Sequence, residues 1–284
     1  MSTSLEERRA ELRTSLADIR ARVDAATASS SCLTSNPRRP LLVAVSKYKP
    51  PSDILYCYED SQQLDFGENY VQELVDKAKQ LPQEIRWHFI GTLQSNKAKT
   101  LAAIPNLHTI ETLTSTKAAL GLEKALADQE GRTLNVLLQV NTSGEDAKSG
   151  LPSLPTDASA FNTNANMEEL SLLALARLVL TQCPHLRLQG LMTIGALDQS
   201  LAASTGEENA DFRCLLDTRD RLQTALRTAF PDAKYGDDSG RLVVSMGMSN
   251  DFEAALRVGS DIVRVGTGIF GSRPLKGEAQ RHVA

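Results

Sequence analysis

The chain has 284 residues, 41% hydrophobic and 23% charged, with 31 Lys and Arg against 35 Asp and Glu for a net charge of −4. That composition describes an ordinary globular protein and excludes collagen, a coiled coil and wholesale disorder. A weakly acidic chain has no general attraction for nucleic acid or an anionic membrane, and no window approaches the roughly 18 apolar residues of a membrane span.

Residues 4–27 read as an amphipathic helix. Ser4-x-x-Glu7 has the form of a capping box. Leu5, Leu12, Leu16, Ile19 and Val23 fall on one helical stripe. Glu6, Glu7, Glu11 and Asp18 sit among its arginines and no apolar run precedes them. The stretch is therefore neither a secretory signal nor a transit peptide, and the cytoplasm is the expected location. Residues 28–39 are a polar connector containing Pro37.

A regular rhythm follows. Residues 41–47, 64–69, 86–91 and 107–113 read as buried strands, and their ends, Lys47, Asn69, Gly91 and Leu113, recur every 22 residues. Helices are expected between them at 53–58, 70–80, 96–103 and 115–130. Four more strands come at 134–141, 186–195, 241–246 and 261–266, with helices near 167–182, 210–229 and 251–258. Insertions rich in Ser, Thr and Asn interrupt the pattern near 151–167 and 197–209. Eight strands alternating with helices predict a (β/α)8 TIM barrel over residues 40–273, preceded by the helix and connector of 1–39 and followed by a tail at 274–284. A doubly wound sheet is the alternative, but no G-x-G-x-x-G turn follows the first strand.

Parity places the candidate chemistry. Leu41, Val43, Val45 and Lys47 share one strand face. If the first three fill the barrel, Lys47 faces inward at the carboxyl end, where barrels of this kind carry their sites. A lysine at an apolar rim can attack an aldehyde to form a Schiff base; an ordinary rim ion pair is the plainer reading. Ser245 to Ser249 ends the seventh strand, and Gly266-Thr267-Gly268 ends the eighth. Barrels often bind phosphate between those two loops, with Ser245 and Thr267 hydroxyls as donors; tight turns are the plain alternative. Arg264 should point into the barrel one layer below Gly266. There it either pairs with an interior carboxylate such as Asp65 or donates to a cofactor's ring nitrogen. Asn69 lines the mouth, Met192 is wall, and His88 ranks as a satisfied barrel histidine. The Asn141–Ser143 glycosylation pattern reads as a polar turn. Cys32, Cys57, Cys183 and Cys214 form no C-x-x-C pair, so free thiols and no zinc site are expected.

Seven segments in collinear order then carry a family likeness: AVSKYKP (44–50), FGENYVQEL (66–74), WHFIGTLQSNK (87–97), QVNTSGEDAKSG (139–150), GLMTIGA (190–196), SMGMSNDFEAAL (245–256) and VRVGTGIFGSR (263–273). Together they resemble the pyridoxal phosphate homeostasis proteins. The resemblance implies a fold-type III barrel like the N-terminal domain of alanine racemase, with pyridoxal phosphate (PLP) as cofactor. It implies that Lys47 is the Schiff-base lysine, and that Ser245, Gly266 and Thr267 cradle the phosphate. Arg264 would face the pyridine nitrogen and Asn69 would lie near the ring, with Met192 counted among the cofactor-binding residues as wall. A permanently charged arginine there disfavours protonation of that nitrogen. Racemases of this likeness draw a second base from a further domain, and the 13 residues after Gly271 leave no room for one here. The expected function is therefore PLP buffering and delivery to apo PLP-dependent enzymes by a monomer without turnover. A racemase-like amino-acid enzyme is the alternative.

Overall fold

The computed structural model describes residues 5–30, 39–145, 149–155, 171–195 and 209–272. In chain order the strands are β1 (Leu41–Val45), β2 (Asp65–Glu68), β3 (Arg86–Phe89), β4 (Leu107–Leu113), β5 (Leu134–Asn141), β6 (Leu151–Pro152), β7 (Leu186–Met192), β8 (Val243–Met248) and β9 (Ile262–Val265). All pair in parallel. β1 pairs with β9, and β4 with β5, so eight strands close a barrel with β6 as a short appendix on β5. The helices are α1 (Leu5–Ala28), α2 (Pro51–Ser61), α3 (Val71–Gln80), α4 (Ala98–Ala102), α5 (Thr116–Leu126), α6 (Ser171–Gln182), α7 (Ala210–Ala229), α8 (Phe252–Arg257) and α9 (Thr267–Phe270). The expected TIM barrel is the observed fold.

Strand alternation sorts the side chains. Leu42, Ala44, Phe66, Trp87, Phe89, Val136, Leu138, Leu188, Val244 and Val263 turn outward into the large apolar layer beneath the helices. Val43, Leu137, Met192, Val243 and Ile262 form a separate, much smaller cluster inside the barrel, with Leu41 packed on it. Helix α1 joins the outer layer through Leu12, Leu16, Ile19, Val23 and Ala26. It is pinned by Arg8 to Asp53 (2.6 Å), Arg9 to Asp60 (2.5 Å) and Arg22 to Glu253 (3.0 Å).

Several boundaries differ from expectation. β1 stops at Val45, which leaves Lys47 in the exit loop. β7 stops at Met192. β8 runs through Gly247 to Met248, two residues past the expected end, because a register shift between Ser245 and Met248 accommodates the extra length. Gly247 sits there at φ +92, and a Cβ would come within 2.6 Å of Ala255. The expected insertion at 151–167 begins as structure: Leu151 and Pro152 pair with Val140 and Asn141, and Leu154 is buried. Its remainder from 156, the segment 197–208, the tail at 274–284, Ser4 of the capping box and Cys32 lie outside the described residues. Asn209 caps α7, accepting from Asp211 and Phe212 backbone N–H groups at 2.9 and 3.2 Å. Asn141 accepts from the Gly144 N–H at 3.2 Å, so that segment is a polar turn. Cys57 and Cys183 are buried free thiols and Cys214 is half-buried. Among the described residues no helix is long and apolar enough to cross a membrane.

Candidate functional site

At the carboxyl end of the strands lies a cavity of about 500 Å³, lined by Lys47, Asn69, Met192, Arg264, Gly266 and Thr267 together with Val45, Lys49, Ile90, Ile194, Gly195, the 248–251 turn and Gly271. Six of the seven residues singled out in the sequence therefore meet in one place. Ser245 does not line it. Its hydroxyl lies one layer down, donating to Glu111 Oε2 at 2.6 Å and accepting from Arg264 Nη1 at 2.5 Å. Ser249 takes the expected place at the mouth, and its Oγ accepts the Gly266 N–H at 3.1 Å, tying the two loops together. Gly266 itself packs close to β1: a Cβ there would stand 3.3 Å from Val45 O.

The exit of β1 is held from both sides. Behind it, Ser46 donates to Glu68 Oε1 at 2.7 Å, and Lys77 Nζ reaches Ser46 O, Glu68 and Glu73 at 2.9, 2.6 and 2.7 Å. Burial pushes the Glu68 carboxyl up to about 7 against the pull of Lys77. In front, Tyr48 takes φ +63, a left-handed conformation that costs a bulky residue about 1–2 kcal/mol. Tyr48 N–H donates to Glu73 at 2.7 Å, and its ring leans on Tyr70 with centroids 5.1 Å apart and the two hydroxyls bonded. The loop that carries Lys47 is therefore held in place rather than slack. The second lysine of the loop, Lys49, was not anticipated. It donates to Phe270 O and Ser272 O at 2.8 and 2.9 Å, which anchors the end of α9. Burial, helped by Arg8, lowers its pKa.

Arg264 is buried at the cavity floor. Besides Ser245 it donates from Nη2 to Thr193 O at 2.7 Å. Its carboxylate neighbour is Glu111 at 3.8 Å, not the expected Asp65. Asp65 instead holds Arg86 at 2.5 Å and His88 at 3.1 Å. His88 is fully enclosed, with Glu111 2.9 Å from Nδ1 and Asp65 3.1 Å from Nε2. An imidazole can donate from both nitrogens only when protonated. Against burial, the two carboxylates push its pKa up to about 9, and Glu111 and Asp65 stay below the usual carboxylate range. Burial, then the neighbouring His88, drives His108 down to about 4. Asp65, His88 and His108 are the one group among the described residues with metal-ligand spacing, and Asp65 and His88 are already engaged in this ion network. Glu111 and Thr193 escaped the sequence reading, and Ser249 entered it only as the end of the 245–249 segment.

A second cavity of about 270 Å³ adjoins the first across Asn69, Ile90, Ile194 and Gly195, and hydroxyls and amides from Thr92, Thr112, Gln139, Asn141, Thr142, Ser143 and Thr193 line it. Among the described residues no charged side chain lines it. Asn69 Oδ1, on the shared wall, is buried without a hydrogen-bond partner, an acceptor awaiting a donor.

Comparison with known proteins gives the chain's family and fold relatives. The family described as alanine racemase, N-terminal domain, matches residues 40–274. The pyridoxal phosphate homeostasis protein of Schizosaccharomyces pombe is 38% identical over 251 residues, covering 88% of this chain and 92% of that protein. PipY of Synechococcus elongatus, solved with PLP bound, superposes with a TM-score of 0.60 at 27% identity, over 92% of this chain and all of that one. Alanine racemase from Corynebacterium glutamicum shares the fold, with a TM-score of 0.58 at 13% identity over 96% of this chain and 63% of that one.

Proposed function

The chain belongs to the pyridoxal phosphate homeostasis protein family, and from that premise we propose that it binds PLP in the mouth cavity as a Schiff base on Lys47 and acts as a carrier that holds the cofactor and hands it on. The observation that carries the reading is convergence: an amine, a fixed guanidinium and two glycine-lined loops face one cavity of about 500 Å³, within the usual size range of small-molecule sites.

The residues present fit the cofactor's parts. Bound there, PLP supplies an aldehyde that condenses with an amine. Lys47 lines the cavity together with the apolar side chains of Val45, Ile90 and Met192, which suit a flat ring. Lys49 donates to the Phe270 and Ser272 carbonyls, which ties it to the end of α9. Ser249 and Thr267 supply hydroxyl donors for a phosphate, with Ser249 in the place expected of Ser245, while Gly266, whose N–H is held by Ser249 Oγ, leaves room for a close approach. Arg264 keeps three of its five N–H donors after bonding Ser245 and Thr193, and these suit an unprotonated ring nitrogen. Asn69 Oδ1 lacks a donor, which a hydroxyl-bearing ring can provide.

The carrier reading rests on the rest of the lining. Among its described residues only Lys47, Lys49, Arg264 and Asp251 bear charge. Asp251 is committed to the turn, accepting Met248 N–H at 2.6 Å, and Lys49 is tethered. None is placed to move a second proton opposite Lys47, as racemase-like chemistry requires.

Borohydride reduction of the PLP-loaded protein followed by peptide mapping tests the assignment. The expected result is a phosphopyridoxyl group on Lys47 and none in Lys47→Ala. Labelling at Lys49 instead, or no uptake, overturns it. Reactivation of an apo PLP-dependent enzyme faster than free dilution supports delivery, whereas sustained amino-acid turnover overturns the carrier.

A further inference from the structure

Below the cavity a line of buried side chains crosses the barrel interior: Arg264, Ser245, Glu111, His88 and Asp65, ending on Arg86 at the far rim. Its hydrogen bonds have only one possible direction at the cavity end. Arginine has no acceptor, so Ser245 Oγ must accept from Arg264 Nη1 (2.5 Å) and spend its single proton on Glu111 Oε2 (2.6 Å). Glu111 Oε1 is occupied by His88 Nδ1 at 2.9 Å. The hydroxyl thus stands between a buried cation and a buried anion whose nearest atoms are 3.8 Å apart. A direct fork between guanidinium and carboxylate, the stronger pairing, would draw Arg264 down and away from the cavity. Ser245 prevents that collapse, and His88 holds the other carboxylate oxygen on the far side. Thr193 O, 2.7 Å from Nη2, fixes the second corner of the guanidinium.

We propose that Ser245 and Glu111, backed by His88, are positioning residues that set the height and tilt of the Arg264 guanidinium beneath the ring nitrogen of the bound cofactor. This rests on the mouth cavity being the PLP site. It gives Ser245 a role in the ring contact rather than in the phosphate cradle, and it assigns Glu111 and His88 roles that their sequence context does not suggest. A buried ion cluster serving only to hold the barrel together would share the same contacts, so the test needs a readout that mere stability does not move.

Ser245→Ala and Ser245→Thr supply it. In the full-length PLP-loaded protein, Ser245→Ala is expected to shift the absorption band of the bound cofactor and to weaken PLP retention about tenfold. Ser245→Thr, which restores the hydroxyl, should return both to the wild-type values at an unchanged melting temperature. In the PLP-free protein, Ser245→Ala should also move the Arg264 Nε–H signal in a nitrogen-15 NMR spectrum, and Glu111→Gln should move it further. A folded Ser245→Ala protein with the wild-type band and retention overturns the proposal. So does an Arg264 signal that ignores Ser245→Ala, and this arm needs no cofactor. If the wild-type protein takes up no PLP while that signal does move, the site reading fails and the link to Arg264 stands. Should Glu111→Gln not fold, the two Ser245 variants decide alone.

Discussion

The two faces of the same eight strands do different work. Facing outward, β2 offers Phe66, β3 offers Trp87 and Phe89, and β9 offers Val263 and Val265, all in one continuous apolar layer. Facing inward, the same strands present Asp65, His88 and Arg264, and the apolar content shrinks to a ring of Val43, Leu137, Met192, Val243 and Ile262. Hydrophobic burial is non-directional and tolerates substitution of similar volume. A buried ion chain is directional and tolerates little. The outer face therefore supplies the adhesion, and the inner face supplies the orientation of the site.

Deleting packing from the outer face should separate the two most sharply. Leu222 is fully buried on α7 and belongs to the outer apolar layer. Leu222→Ala is expected to lower the unfolding free energy by about 2–5 kcal/mol in urea denaturation. The absorption band of the PLP-loaded protein at permissive temperature should not change. A shifted band would show that the outer layer also tunes the site, and the division of labour between the faces would fall.

The inner face should answer to pH instead. His88 is raised to about 9 in the folded protein from an ordinary 6.5, so the folded state holds a proton that the unfolded chain gives up sooner. Its stabilisation is whole below pH 6.5 and is lost as pH rises through about 9. The wild-type urea midpoint should fall across that window. The loss is on the order of 3 kcal/mol, since each pH unit between the two values contributes about 1.4 kcal/mol. His88→Gln should flatten that part of the curve. Parallel curves for the two proteins would mean that His88 is neutral between its carboxylates.

The sequence showed the outer face plainly and the inner face only in outline. Continuous apolar runs such as 41–45 and the constant interval between strand ends are properties of one chain segment, so the barrel could be counted. The meeting of Lys47, Asn69, Arg264, Gly266 and Thr267 at the barrel mouth was legible because each stands at or just beyond a strand end or follows by parity, with the family likeness beside it. Ser245 was misplaced for one physical reason: β8 continues through Gly247 to Met248, so what looked like the strand's end lies a layer deeper. Glu111 was invisible because its role depends on two strands, β8 and β9, more than 130 residues away in sequence. Lys49 was overlooked because its partners are backbone carbonyls of Phe270 and Ser272, groups that sequence does not distinguish.

The packing of α1 on α9 joins the two regions, and the smallest predicted effect concerns it. Gly268 lies on α9, directly after Thr267, and a Cβ there would meet Ile19 Cδ1 of α1 at 2.9 Å and Val265 Cγ1 at 3.1 Å. Helix α1 thus presses the outer layer against the element that carries the proposed phosphate loop. Gly268→Ala gains helix propensity worth up to about 1 kcal/mol but overpacks a site where overpacking costs about 1–3 kcal/mol. The net expectation is a loss of about 1 kcal/mol in urea denaturation, with weaker PLP retention as α9 shifts. Ile19→Val removes the Cδ1 that the new methyl would strike. On its own it should cost about 1 kcal/mol, yet combined with Gly268→Ala it should recover most of the lost stability and retention. Double-mutant coupling of that sign would establish that α1 sets the position of α9. Simple additivity would place the strain at Val265 instead, inside the barrel wall, and leave α1 a passive cover.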